Sequence, residues 1–195
     1  MNRFSISHGR RVLSVGLFLL LALGLAGVPA VQPVSAAVPG YRPDGRILLP
    51  CHVELEDCQP EWLGDNIYNS TSEGQRAKWY DCCGFEDGPV IFRISIQNDG
   101  TRSDRFRVDT SGNTSGYRVA FLHGTTDITA AVKAGTYKTP TLEPGATYGI
   151  RIRIEIRAGA MGGDKAARLV TLTSLGNPGK QDAVKAVREL ITCGC

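Results

Sequence analysis

Residues Tyr148 to Ala158 read YGIRIRIEIRA, the most regular stretch of the chain. Isoleucine occupies every second position from Ile150 to Ile156, and arginine or glutamate occupies the positions between them. Successive side chains of a β-strand point to opposite faces, so this period of two predicts a half-buried strand with its isoleucines facing inward. The preceding LEPGA contains a Pro-Gly turn signal, which indicates where the strand begins.

Other segments repeat the same pattern. VIFRISIQ places Phe92, Ile94 and Ile96 on one face, and the NDG that follows is a strong turn signal. SDRFRV, YRVAFL and RLVTLTS predict further strands, whereas DITAAVKAG predicts either one helical turn or an irregular crossing. DAVKAVRELI contains residues that favour helix, but its context assigns it to a strand. Short strands separated by turns predict an all-β, two-sheet sandwich of about seven strands.

The N-terminus has the features of a secretory signal. Three arginines precede an apolar run from Val12 to Val28, and Pro29 and small residues follow it. Cleavage after Ala36 or Ala37 fits best, and Ala30 is a further candidate. The alternative is an uncleaved anchor, because the run is nearly long enough to span a bilayer. We therefore assign 1–37 to a signal peptide, 38–44 to a linker and 45–195 to the sandwich. The expected location is secreted, cell-surface or periplasmic, with no stable membrane span after cleavage.

The charge of the exported part is balanced. Removal of residues 1–37 leaves 158 of the 195 residues, enough for one domain with a real core. Three of the 22 basic residues leave with the signal, so 19 remain against 19 acidic residues. The net charge of +3 therefore belongs to the signal. A neutral exported chain offers no compositional reason to expect nucleic acid or an anionic membrane as partner.

All six cysteines follow the signal. Four of them, with both tryptophans, lie in residues 50–89, which we interpret as a long cysteine-rich insertion between the first strand and VIFRISIQ. An even number of cysteines in an exported chain predicts a disulfide framework, although six cysteines allow 15 pairings. Adjacent cysteines rarely bond to each other, because the peptide plane between them strains the bond. The predicted disulfide residues are Cys51, Cys58, Cys82, Cys83, Cys193 and Cys195.

Several stretches together resemble an immunoglobulin-like module of bacterial exported proteins. They are RPDGRI, GDNIYNSTSEGQ, FRISIQNDGTRSDRFRV, YRVAFLHGTTDITAAVKAGTYKTPTLEPGATYGIRIRIEI and VTLTSLGNPGKQDAVKAV, between Arg42 and Val187. The resemblance implies a β-sandwich, an exported location and no catalytic residues. The cysteine-bearing segments depart from the usual pattern.

The same resemblance implies where the cysteines pair. In an immunoglobulin-type topology the last strand ends near the start of the second, here Val90. Cys82 or Cys83 is therefore expected to bond to Cys193 or Cys195, with the remaining two forming a second clamp. Cys51 and Cys58 would close a small loop of their own.

Catalytic and metal chemistry have little support. Four thiolates could bind zinc, but the spacing is unlike that of structural zinc sites, and export favours oxidation. NDGTRSD, from Asn98 to Asp104, lacks the spacing of a calcium loop and reads as a turn. Nucleophile motifs are absent from the sequence. Cys193-Gly-Cys195 is a close dithiol, which leaves a thiol–disulfide oxidoreductase as a minor alternative. We expect no enzyme activity, no metal and no cofactor.

Aromatic residues give the first candidates for binding. Trp62, Tyr68, Trp79 and Tyr80 crowd into the cysteine-rich segment. Exposed aromatics there would stack on sugar rings or on a protein partner. The favoured alternative is that Trp62 and Trp79 cover the core or the disulfides.

Arginines give the second candidates. Arg93, Arg151, Arg153 and Arg157 would share an outer sheet face if VIFRISIQ and YGIRIRIEI pair. A solvated face with Glu155 between the arginines is favoured over a surface for an anionic polymer. The sequence therefore predicts a non-catalytic structural or binding module, with polysaccharide or another exported protein as the candidate partners.

Overall fold

A computed structural model describes residues 40–48, 50, 60–82 and 88–191. The predicted signal peptide, residues 1–37, lies outside the described residues. So do five of the six predicted disulfide residues, and of Cys82 only the backbone is described. The five are Cys51, Cys58, Cys83, Cys193 and Cys195.

Eleven strands and one short helix make up the described chain. They are β1 (Pro43–Leu48), β2 (Trp62–Leu63), β3 (Arg76–Cys82), β4 (Val90–Asn98), β5 (Phe106–Ser111), β6 (Tyr117–His123), β7 (Thr126–Asp127), α1 (Thr129–Lys133), β8 (Tyr137–Lys138), β9 (Thr147–Ile156), β10 (Lys165–Ser174) and β11 (Gln181–Ile191). The prediction of about seven strands was too low. Three of the additional strands have two residues each, and β3 lies in the segment that was expected to be a connection. Strand β1 begins within the predicted linker.

The strands form two facing sheets. The first sheet has the order β2-β1-β4-β9-β6-β7, and the second has the order β3-β11-β10-β5-β8. Neighbouring strands are antiparallel except β3 and β11, which run parallel. This arrangement is an all-β, immunoglobulin-like two-sheet sandwich, and the predicted fold class is confirmed. None of the described helices is long and apolar enough to span a membrane.

The predicted alternation fills the space between the sheets. Ile150, Ile152 and Ile154 of β9 are buried, as are Phe92 and Ile94 of the neighbouring β4. Burial of apolar side chains stabilises the fold by roughly 25 cal/mol per Å². The ambiguous DAVKAVRELI is indeed a strand, β11, between β3 and β10. Pairing on both edges and burial outweigh its helix propensity, which is worth less than about 1 kcal/mol per residue.

One charged pair is buried inside this core. Arg188 of β11 and Asp81 of β3 both have side chains that are 0% exposed. The Arg188 guanidinium donates to the two oxygens of Asp81, Nε to Oδ2 at 2.7 Å and Nη2 to Oδ1 at 2.9 Å. Its Nη1 donates to the carbonyl oxygen of Ile154 at 2.6 Å and to that of Gly88 at 3.1 Å. The indole nitrogen of Trp79 donates to Asp81 at 3.0 Å.

Arg188 therefore joins three strands and the entry to a fourth. Its bonds reach β3 and β9, and Gly88 lies just before β4. The strand β3 was missed in the sequence because one of its inward positions carries Asp81, a residue that pattern reading places outside. Only the pairing with Arg188 makes that inward position compatible with burial.

We expect Asp81→Ala to lower the free energy of unfolding by about 3–5 kcal/mol, because it leaves the Arg188 guanidinium buried without a counter-charge. Urea-induced unfolding followed by circular dichroism measures the change. Glu189→Ala is the matched control, since it breaks the exposed pair with Lys165 and should cost about 1 kcal/mol or less. Similar losses in the two variants would contradict this role for Arg188.

Candidate binding surface

The four predicted binding aromatics do not form one surface. Trp62 is 44% exposed in β2 at the edge of the first sheet, and Tyr80 is 47% exposed in β3 of the second sheet. Trp79 is only 9% exposed and packs in the core. The Tyr68 hydroxyl contacts the Asp99 carboxylate, and the Arg42 guanidinium lies 3.8 Å from the centre of its ring. Trp62 and Tyr80 are therefore the two whose side chains are largely exposed to solvent, and they lie on different sheets of the sandwich.

Tyr68 belongs to a segment, residues 64–75, that buried carboxylates hold in place. Asp182 of β11 accepts bonds from the backbone of Gly45 at 2.6 Å, the backbone of Asn69 at 3.0 Å and the Gln75 amide at 3.0 Å. Gly45 allows this approach, because an added Cβ would lie 2.8 Å from a core leucine. The segment is thus tied to strands β1 and β11.

A second carboxylate, Asp44 of β1, is buried beside the first. It accepts a bond from the backbone of Asn66 at 3.2 Å. Burial, and after it the negative charges of Asp182, Asp99 and Asp65, raise the pKa of Asp44 from 3.8 to about 7. Burial also raises the pKa of Asp182, against the hydrogen bonds that lower it. Both carboxylates accept hydrogen bonds that hold segments of the fold together. No three His, Cys, Asp or Glu side chains of the described residues are placed to hold a metal ion.

The outer face of the first sheet carries the arginines that the sequence singled out. Strands β4 and β9 pair, and Arg93 lies directly opposite Arg151. Arg153 lies opposite Ile91 one step along the same pair of strands. Arg157 follows the end of β9 and does not belong to the sheet. The predicted shared face is therefore formed by three of the four arginines.

Two more arginines extend this row on neighbouring strands. Arg46 of β1 lies opposite Ser95 of β4, and Arg118 of β6 lies opposite Glu155 of β9. Sequence reasoning missed both, because each is an isolated arginine and only strand pairing places it beside the others. We name the set the arginine track. Its members, in spatial order, are Arg46, Arg93, Arg151, Arg153 and Arg118.

The arginine track runs diagonally over four adjacent strands, β1, β4, β9 and β6. Strands lie about 4.8 Å apart and each residue rises about 3.4 Å, so the track is about 25 Å long. Trp62 marks one end, where the Arg46 guanidinium lies 5.8 Å from the centre of the indole ring. The track and Trp62 together form a positively charged surface with one aromatic ring at its end.

Few carboxylates neutralise the track. Arg153 forms an ion pair with Glu155, and Arg46 forms one with Asp65 at 3.3 Å. The Arg151 guanidinium donates to the carbonyl of Gly124. Within the described part of the chain, Arg93 and Arg118 make no ion pair. The surface therefore keeps an excess of positive charge, although residues 38–195 carry equal numbers of basic and acidic residues.

Comparisons with known proteins give only weak similarity. No protein-family model and no curated protein matches the chain. The ASH/PapD-like domain 7 of human CEP192 is 9% identical, with 89% of this chain and 98% of that chain covered and a TM-score of 0.38. The seventh ScaB type I cohesin of Pseudobacteroides cellulosolvens is 9% identical, with 62% of this chain and 94% of that chain covered and a TM-score of 0.27. The secreted serine protease VesC of Vibrio cholerae is 11% identical, with 60% of this chain covered and a TM-score of 0.37. The match covers only 22% of the protease, about a fifth of its length. We draw no functional conclusion from similarity at this level.

We expect the free energy of unfolding to decrease as the pH rises from about 4 to about 7. The folded state raises the pKa of Asp44 from 3.8 to about 7, so it binds a proton that the unfolded chain has already released. The contribution of Asp44 to the free energy of unfolding is fully present below its pKa in the unfolded chain, 3.8. It is lost as the pH rises through its pKa in the folded protein, about 7.

Asp44→Asn should flatten this dependence and raise stability at pH 8, because it keeps the bond from Asn66 and removes the charge beside Asp182. Urea unfolding from pH 4 to pH 8 tests this. Asp109→Asn is the control, because this carboxylate pairs with Arg107 on the second sheet and is not among the charges that act on Asp44. An unchanged pH dependence in Asp44→Asn would contradict the assignment.

Proposed function

We propose that this chain is an exported, non-catalytic binding module that uses the outer face of its first sheet. One observation carries the proposal, the arginine track beside the exposed Trp62. Exposed charged and aromatic side chains on a rigid sheet form a surface that needs no rearrangement before it binds. The predicted signal and the even number of cysteines support export.

The use of the buried polar groups supports a non-catalytic role. Asp81 is bonded to Arg188, and Asp182 is bonded to the segment that it anchors. Asp104 accepts a bond from the Ser174 hydroxyl at 2.5 Å and from the backbone of Gly176 at 3.0 Å. These carboxylates each hold two parts of the fold together, which is the usual role of buried polar groups.

Two other functions compete with this one. Trp62 alone could bind a neutral carbohydrate by stacking on a sugar ring, without a contribution from the arginines. The dithiol of Cys193 and Cys195 could act as a thiol–disulfide oxidoreductase. Reduction of insulin that is abolished by Cys193→Ser would favour the oxidoreductase.

Disulfide stabilisation is part of the proposal, and the strand register supports it. The parallel pair β3–β11 places Ile191 opposite Cys82. Cys83 follows Cys82 directly, and Cys193 comes two residues after Ile191. The two described strands thus end side by side, each at or shortly before a pair of cysteines in the sequence, and this supports bridges from one pair to the other. Bridges between them would tie β3 to β11 at the end where Arg188 and Asp81 meet.

We expect Trp62→Ala to weaken binding to polysaccharide, whereas Tyr80→Ala should not, because Tyr80 is equally exposed but lies on the second sheet. Affinity electrophoresis through gels that contain dextran, xylan or polygalacturonate measures binding. Retardation that is equal in the two variants would place the binding surface elsewhere, and no retardation of the wild type by any polymer would leave a structural role.

We expect non-reducing peptide mapping of the exported protein to show Cys82 or Cys83 joined to Cys193 or Cys195, and Cys51 joined to Cys58. Each bridge should stabilise the protein by roughly 2–4 kcal/mol, so reduction should lower the melting temperature. A Cys193–Cys195 bond, or free thiols throughout, would contradict the clamp.

A further inference from the structure

The geometry of the arginine track indicates what kind of molecule it binds. Arg93 and Arg151 are direct cross-strand partners, and like charges in that position destabilise a sheet. Arg93 forms no ion pair with a carboxylate of the described residues. A ligand with negative charge between the two guanidinium groups would remove this repulsion.

Several residues beside the arginines on this face have small side chains. Ser95 lies opposite Gly149, and Ala120 lies opposite Arg153. Glycine inside a strand costs about 0.5–1 kcal/mol, yet an added Cβ at Gly149 would meet only the backbone oxygen of Ile94, at 4.0 Å. Packing therefore does not require glycine at this position. Its effect is to leave the surface beside Arg151 open, so that an extended chain can lie across the strands.

We infer that the arginine track binds the carboxylates of an extended acidic polysaccharide. This inference rests on the proposed binding function of the same face. The planar guanidinium group matches a carboxylate through two parallel hydrogen bonds. Arginines on four successive strands suit a ligand with charge repeated along its length.

Trp62 favours a sugar polymer over an acidic polypeptide. Its exposed ring lies at the Arg46 end of the track, where a sugar ring can stack on it. Small residues flank the track, with Ser95 and Gly149 in the row of Arg46 and Ala120 beside Arg153. A cavity lined by Arg118, Arg153 and Asp127 lies at the other end of the track and could also take a peptide side chain. An acidic polypeptide is therefore the competing outcome of the test.

Polygalacturonate is the probe, and affinity electrophoresis and titration calorimetry of the full exported chain are the measurements. We expect the wild type to bind it, and to bind more weakly as ionic strength rises. The double variant Arg93→Gln/Arg151→Gln should lose at least about tenfold in affinity. The matched control is Arg76→Gln/Lys185→Gln, which removes the same charge from cross-strand partners on the second sheet and should bind as the wild type does.

Gly149→Gln tests the open surface without a change of charge. We expect weaker binding and an unchanged or higher melting temperature, because an added Cβ would meet no atom closer than 4.0 Å and glycine is unfavourable inside a strand. A solely structural role for this face predicts no effect on binding. Circular dichroism of each variant confirms that the fold is retained.

The other outcomes overturn the inference in distinguishable ways. Equal losses in the two double variants would show a general charge effect and would overturn it. Binding of poly-L-glutamate but not polygalacturonate would overturn the ligand class and leave the proposed binding face. Trp62-dependent binding of dextran or xylan alone would overturn the inference and favour the competing function, in which Trp62 binds a neutral carbohydrate without the arginines. Failure to bind any of these polymers would overturn both proposals.

Discussion

The ion pair between Arg188 and Asp81 is the contact on which the sandwich depends most. Removing two charges from water is costly, and the cost is met here because every side of the pair is bonded. Asp81 accepts from Arg188 and Trp79, and the remaining donor of Arg188 reaches the backbone of Ile154 and Gly88. The pair therefore fixes β3 beside β11, joins the second sheet to the first, and sets the place where the chain enters β4.

The opposite end of the sandwich is held by a different chemistry. There Asp182 and Asp44 are buried close to each other, and they accept bonds from Gly45 of β1 and from backbone and amide groups of residues 64–75 rather than from a cation. This arrangement holds the segment in place, but it buries two carboxylates near each other and away from water. Burial and the neighbouring negative charge together explain the raised pKa of Asp44. The buried carboxylates of the core and of both ends have structural roles, whereas the arginines on the outer face of the first sheet stay in contact with solvent.

Much of the fold was predictable, because its main strands follow from the pattern of residues that are close together in the sequence. The period of two in β4 and β9 depends only on neighbouring residues, so both strands and their inward faces could be read directly. The facing of Arg93 and Arg151 followed once these strands were paired. Strand β3 and the burial of Trp79 were not predictable, because they depend on Arg188, which is more than one hundred positions away from its partner Asp81.

The sequence by itself determined a β-sandwich, its main strands and the alternation that separates core from surface, since these follow from side-chain chemistry at short range. Tertiary structure decided which surface residues stand together. Arg46 and Arg118 join the arginine track only through the order β1-β4-β9-β6 and its register. A shift of one residue in that register would turn every arginine of a strand to the other face, and no local pattern sets the relative position of distant strands.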